Sequence, residues 1–131
     1  MPVQVVWDDK AHTRLRQIYF GTITIDDYIQ ATDEIVRLAK PVSHAVHTII
    51  DQTQALSASS VLLPILRYAN KHMPPNLGVR VIVGTNMFTR ALVDLGHRVV
   101  PRLVQHLYFA DSIEDALAFI EVHGEEMRKV S

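Results

Sequence analysis

The feature that most constrains the fold is a strand, a polar loop and a helix in succession between residues 48 and 68. The apolar run Thr48-Ile49-Ile50 ends on an acid, Asp51. Residues 52–60 are rich in amides and hydroxyls, and an apolar helical pattern follows them. In α/β domains, the start of such a helix commonly binds an anion or carries a phosphate. This stretch therefore locates a candidate site, although it supplies no reactive group.

The same alternation continues along the chain. Two β-type runs come first, and they lie close enough in sequence to pair antiparallel, with Gly21 ending the second. Each later strand is followed by a helical pattern. The predicted strands cover residues 3–7, 12–20, 45–51, 79–83 and 105–109. The predicted helices cover residues 24–40, about 60–71, 84–97 with a short second piece at 98–104, and 111–124.

Local signals set the predicted ends of these helices. Thr24 and Asp27 have the spacing of a capping box, and so do Asp111 and Glu114. Pro41 ends the first helix, because a proline disfavours the α conformation of the residue before it. Pro64 is expected in the first turn of the second helix, where a proline costs little.

The order β-β-α-β-α-β-α-β-α predicts a single α/β domain over residues 1–131, with a mixed sheet whose later strands are parallel. Ligands of such sheets bind at the carboxyl ends of the strands. Three such ends meet here, at residues 51–53, 84–86 and 110–112. The predicted switch or ligand site is Asp51, Ser57, Ser59, Ser60, Thr85 and Asn86.

Composition excludes several classes of function. Thirteen basic and 14 acidic residues give a net charge of -1, so no overall field favours nucleic acid or an anionic membrane. There are no cysteines, hence no disulfide, thiolate nucleophile or cysteine metal site. No basic segment with an apolar run opens the chain, and no run approaches the roughly 20 apolar residues of a membrane span. A cytoplasmic location is expected.

Catalytic and metal patterns are missing as well. The seven histidines are scattered, and His44 and His47 lie three apart in a strand, where their side chains point to opposite faces. Neither a Gly-x-Ser-x-Gly elbow nor a glycine-rich phosphate loop occurs in the sequence. We expect no enzyme activity, no cofactor and no metal.

The chain resembles the STAS domains of SpoIIAA-type anti-anti-sigma factors. Ile50-Asp51 matches the strand end of that family, and Ala58-Ser59-Ser60 falls where its phosphorylated hydroxyl motif would lie. Residues 79–83 and 111–120 match the next strand and the last helix. The resemblance implies a bacterial regulatory protein with an anti-sigma-type kinase as partner. In such proteins a phosphorylated serine blocks partner binding.

The sequence also departs from that family at two positions. Ala58 replaces the acid before the serines, and Val61 replaces the glycine after them. From the residues alone, three alternatives remain for the serines: helix capping, anion binding and phosphorylation. Asp51 has two, a catalytic group or an acid that accepts N–H groups of the following loop, and the second is the commoner arrangement.

We therefore predict a non-enzymatic regulatory or protein-binding module. The alternative is a carrier that encloses a small apolar ligand or lipid between the sheet and its helices, as CRAL-TRIO-like domains do. Its basis is the apolar excess, a mean hydropathy of +0.11. Homodimerisation through an edge strand or an apolar helix face is compatible with either function.

Overall fold

The computed structural model describes the backbone of residues 2–58, 62–84 and 87–130, with every side chain in these ranges except those of residues 57, 58, 88 and 126–130. Strands and helices follow one another in the predicted order, including the short helix after the third long one. The elements are β1 Val3–Trp7, β2 Arg14–Ile23, α1 Ile25–Ala39, β3 Val46–Ala58, α2 Leu63–His72, β4 Leu77–Val83, α3 Met87–Val99, α4 Pro101–Val104, β5 Leu107–Ala110 and α5 Ile113–Val130.

The strands form a mixed sheet in the order β1-β2-β3-β4-β5. β1 and β2 pair antiparallel across a short turn, with Val3 opposite Tyr19 and Trp7 opposite Leu15. The three later pairings are all parallel. The fold class predicted from the sequence is confirmed: an α/β sheet with an antiparallel first pair, parallel later strands and helices packed on it.

Alternate residues of the strands face two different layers of helix. Val79, Val81 and Val83 of β4 pack against Ala116 and Ile120 of α5, together with Ile49 of β3. We call this the α5 face. Arg80 and Ile82, between those valines, point to the other side, where α2, α3 and α4 lie over the sheet. We call that side the cavity face.

Helix α1 also covers the cavity face, towards β1 and β2. Tyr28 and Ala31 of α1 pack on Val3 and Tyr19 in one apolar cluster. The predicted capping box starts this helix: the Thr24 hydroxyl accepts from the Asp27 backbone N–H, and the Asp27 carboxylate accepts from that of Thr24.

Two strands extend well beyond their predicted carboxyl ends, and β4 starts two residues early, at Leu77. Gly21 does not end β2; it adopts a φ of +62° beside a register shift, and the strand runs on to Ile23. That extension gives β3 a partner beyond Asp51, with Phe20 beside Gln54 and Ile23 beside Ala58. The prediction of a loop from residue 52 is therefore wrong as far as residue 58, because backbone pairing overrides the polar composition.

Some helix ends also differ from the prediction. Helix α2 starts at Leu63 with Pro64 in its first turn, as expected, but its N-cap is Leu62 and not a serine. Helix α5 continues past Gly124 to Val130, and its N-cap hydroxyl is that of Ser112, which accepts from the Asp115 N–H at 3.0 Å. None of the helices within the described residues is long and apolar enough to cross a bilayer.

Candidate functional site

Asp51 lies where the sheet narrows. It pairs with Ile18 on one side and with Val83, the last residue of β4, on the other. Its buried carboxylate accepts hydrogen bonds from the Thr53 backbone N–H at 3.0 Å and from the Thr53 hydroxyl at 2.6 Å. These contacts are the loop-type N–H bonds expected of a strand-end acid, although here they lie within the extended strand.

The end of β4 comes very close to this point. Gly84 has a φ of +82°, and a Cβ at this position would lie 2.7 Å from the Thr53 backbone nitrogen. Both the conformation and the space therefore require a glycine. The close approach holds the carboxyl end of β4 against Gln52 and Thr53 of β3.

The remaining predicted site residues divide into two groups. Ser57 lies in β3, where its backbone pairs with Thr22, so its predicted place in a loop before the helix is wrong. Ser59, Ser60, Thr85 and Asn86 lie outside the described residues. The structure thus brings Asp51 and Gly84, the residue before the 85–86 segment, to one edge of the sheet.

Two large apolar side chains mark this edge. Leu56, near the end of β3, is 85% exposed, and Met87, the first residue of α3, is 90% exposed. In the sequence, Leu56 lies three residues before Ser59, and Met87 directly follows Asn86. Exposed apolar side chains are ordinary when single, but several at one functional edge are typical of a binding surface. We call the exposed side chains of Leu56 and Met87 the carboxyl edge.

A second region with polar character was not predicted. The helices α2, α3 and α4 leave a cavity of about 100 Å³ above the cavity face of the sheet. Most of its lining is apolar; α2 supplies Ile65, Leu66 and Ala69, and Met73 follows directly after that helix. Five polar side chains of the sheet and α3 also line it: Gln17, Tyr19, Gln52, Arg80 and Thr89.

Four of these polar side chains form two buried pairs. The Gln17 amide donates to the Tyr19 hydroxyl, and the Thr89 hydroxyl donates to the Gln52 carbonyl oxygen at 2.5 Å. Burial, followed by the neighbouring Tyr28, raises the pKa of Tyr19 well above its ordinary value. Buried pairs of this kind satisfy the polar groups that an apolar interior would otherwise penalise.

Arg80 has no comparable partner. Arg14 and Arg16 both bond to Asp8, at 2.7 and 3.0 Å, whereas the Arg80 guanidinium makes no ion pair with a described residue. The described residues around the cavity include no carboxylate. Burial lowers the pKa of Arg80 to about 10, which still leaves the side chain charged at neutral pH. Arg80 is half-buried, and a charge partly withdrawn from water is costly unless an anion accompanies it.

The sequence did carry a signal for this site. Arg80 interrupts the apolar run of residues 79–83, which is a strand with neighbours on both sides. Inner parallel strands are covered on both faces and read as nearly continuous apolar runs. A charged residue inside such a run is therefore a reason to expect a site beneath the helices. No cluster of three His, Cys, Asp or Glu side chains with metal-binding geometry is found among the described residues.

The fold belongs to the class of mixed α/β sheets with one antiparallel edge pair and helices on both faces. Solved structures that share it include the following two. An uncharacterised protein of the DUF3478 family from Shewanella loihica PV-4, with a SpoIIAA-like fold, matches with a TM-score of 0.57 at 20% identity, over 89% of this chain and 90% of that protein. The anti-sigma factor antagonist SpoIIAA in its unphosphorylated form matches with a TM-score of 0.55 at 14% identity, over 93% of this chain and 98% of SpoIIAA.

The chain therefore has a SpoIIAA-like fold, which confirms the resemblance seen in the sequence at the level of the fold. No family model matches the chain, and no curated protein matches it either.

Proposed function

We propose that the chain is a non-enzymatic cytoplasmic binding module whose partner is a protein that docks on the carboxyl edge. The observation that carries this proposal is the exposure of Leu56, near the end of β3, and of Met87, at the start of α3. Desolvation of large apolar side chains supplies much of the free energy of protein association. The fold supports the proposal, since one protein that shares it is an anti-sigma factor antagonist.

We further propose that phosphorylation of Ser59 or Ser60 controls this docking. Both serines stand in the sequence between Ala58, the end of β3, and the start of α2. A phosphate adds a charge of about -2. Docking an apolar partner surface against it would remove water from that charge, which weakens binding. The partner class that the resemblance favours is an anti-sigma-type kinase.

Quantitative affinity capture from the source cells tests the docking surface. The bait carries Leu56→Ser and Met87→Ser together, and we expect it to lose at least 90% of the specifically captured protein. Val122→Ser is the matched control, because Val122 is also an exposed apolar residue, 57% exposed, but lies on α5. Capture that survives the double change, or that is lost equally with Val122→Ser, contradicts the proposal.

The switch needs its own pair of baits. Ser59→Asp with Ser60→Asp should weaken capture, and Ser59→Ala with Ser60→Ala should preserve it. Equal capture by both baits would leave the docking surface standing and remove the phosphorylation step.

A second function is favoured by a separate observation, the cavity above the sheet. The alternative predicted from the sequence, a carrier of a small apolar ligand or lipid, requires enclosed apolar space. The cavity of about 100 Å³ offers partly enclosed space of this kind, and aliphatic side chains of α2, α3 and α4 form a large part of its lining. An engineered apolar cavity of about 150 Å³ binds benzene, so this one suits a small molecule and not a long acyl chain.

A further inference from the structure

We propose that the cavity binds a short-chain organic monocarboxylate, with its carboxylate on the Arg80 guanidinium and its hydrocarbon part among the aliphatic side chains of α2, α3 and α4. The inference deepens the second function above by naming the chemical class of the ligand. It does not depend on the protein-docking surface at the carboxyl edge.

The sign of the ligand's charge follows from Arg80. It is the one charged side chain among the described residues that line the cavity, and it has no described acid as partner. A guanidinium presents parallel N–H groups that fit a carboxylate in a bidentate pair. The ligand that best relieves this charge is therefore a carboxylate.

Other hydrogen-bonding side chains lie on the same face of the sheet as Arg80. Thr48 is its register partner on β3, and the buried Thr48 hydroxyl has no hydrogen-bond partner among the described residues, although Thr48 does not itself line the cavity. The Tyr19 hydroxyl accepts from Gln17, which leaves its own hydrogen to donate, and the Gln52 side chain adds an NH₂ group. A carboxylate has four lone-pair positions and can use several such donors at once.

The size of the hydrocarbon part follows from the volume. Scaling from benzene in about 150 Å³, a cavity of this size holds roughly four carbon atoms. Arg80 is only partly buried, so the carboxylate can sit at the opening while the chain points inward. Acids of about four to six carbons, straight or branched, fit these two conditions.

Calorimetric titration of the purified protein with sodium pentanoate tests the proposal, with pentanamide as the uncharged probe of the same shape. We expect saturable binding of pentanoate and none of pentanamide. Two variants remove different halves of the site. Arg80→Met removes the charge, and Ala69→Leu fills space in the cavity while keeping Arg80.

Both variants should weaken pentanoate binding by roughly 10- to 100-fold, the worth of a charge-assisted pair. Arg67→Met is the matched control, because Arg67 is an exposed arginine of α2 and its loss should leave binding unchanged. Circular dichroism establishes that each variant folds. Where Ala69→Leu fails to fold, Leu103→Phe narrows the same cavity from α4.

Three results would overturn the inference. The first is the absence of binding of any acid from propanoate to octanoate. The second is equal binding by the wild type and Arg80→Met, and the third is tighter binding of dodecanoate than pentanoate, which would indicate a lipid carrier. None of these results bears on capture by the carboxyl edge, and loss of capture with the Leu56 and Met87 changes would leave the carboxylate site untouched.

Discussion

The two faces of the sheet are built from alternate residues of the same strands, yet they bury very different material. On the α5 face, Val79, Val81 and Val83 meet the aliphatic side of α5. On the cavity face, the same strand places Arg80 next to polar pairs and an open space. Close packing without polar groups is what stability alone demands. The cavity face departs from it, and such departures concentrate at functional sites.

A charge placed on the α5 face gives the largest expected effect. Val81 is fully buried there, so Val81→Asp would bury a carboxylate without a partner. We expect a loss of at least about 4 kcal/mol in the free energy of unfolding, or no folded protein. Chemical denaturation monitored by circular dichroism measures it. The control is Val122→Asp, where the same substitution at an exposed position should change stability by less than about 0.5 kcal/mol.

The tightness of the α5 face can be tested at its amino end. His47 lies between Gly78 and Gly124, and a Cβ at position 78 would stand 2.4 Å from its Nδ1 atom. That nitrogen also accepts a hydrogen bond from the Val79 N–H at 2.9 Å. Gly78→Ala should therefore cost about 2–3 kcal/mol, at the upper end of the range for overpacking.

A double-mutant cycle isolates the cause. In a His47→Ala background the ring is gone, and Gly78→Ala should lose most of its cost, with a coupling of at least about 1 kcal/mol. The same cost in both backgrounds would show that backbone conformation, and not the histidine ring, requires the glycine.

The cavity face should respond to a core-like substitution in the opposite direction. Arg80→Met replaces an unpartnered charge by an apolar side chain of similar length, which is often neutral or stabilising. We expect the free energy of unfolding to rise by about 1–2 kcal/mol in the absence of ligand. Thermal and denaturant unfolding at pH 7 both measure it. A loss of stability would mean that Arg80 holds the fold together, and the contrast between the faces would then disappear.

Local sequence signals predicted the order of strands and helices but not the extension of β3 or the cavity. The alternation of strands and helices gave the element order, and the capping box of Thr24 and Asp27 gave the start of α1, because both depend on neighbouring residues. The extension of β3 to Ala58 depends on a partner strand 34 to 35 residues earlier in the chain, which continues past Gly21. Composition alone pointed to a loop.

The cavity depends on even less local information. Its lining combines residues of β2, β3, β4, β5 and four helices, so its volume is set by how those helices pack on the sheet. In the sequence, the signal for the cavity is Arg80, a charged residue within an apolar strand. At Asp51, by contrast, the prediction of an acid that accepts N–H groups agrees with its contacts to Thr53.

The smallest effect is expected from alkaline pH, which acts on the cavity face through its tyrosines. Burial raises the pKa of Tyr19 above its ordinary value of 10.0, and burial followed by the charge of Asp27 does the same for Tyr28. The folded state therefore prefers the protonated phenols. Their stabilising contribution is fully present below pH 10 and is lost as the pH rises above it. On the α5 face, Val79, Val81 and Val83 do not titrate, so they add no pH-dependent contribution to stability.

Tyr19→Phe separates this contribution from the rest. Between pH 9 and pH 10.5 the wild type should lose about 0.8 kcal/mol more stability than the variant, the linkage expected for one phenol with an unfolded pKa near 10. Tyr28 and Arg80 are present in both proteins, so their titration cancels in the difference. Denaturant unfolding at the two pH values measures it. Parallel curves would mean that the Tyr19 hydroxyl reaches solvent, and the cavity face would then be less enclosed than its lining indicates.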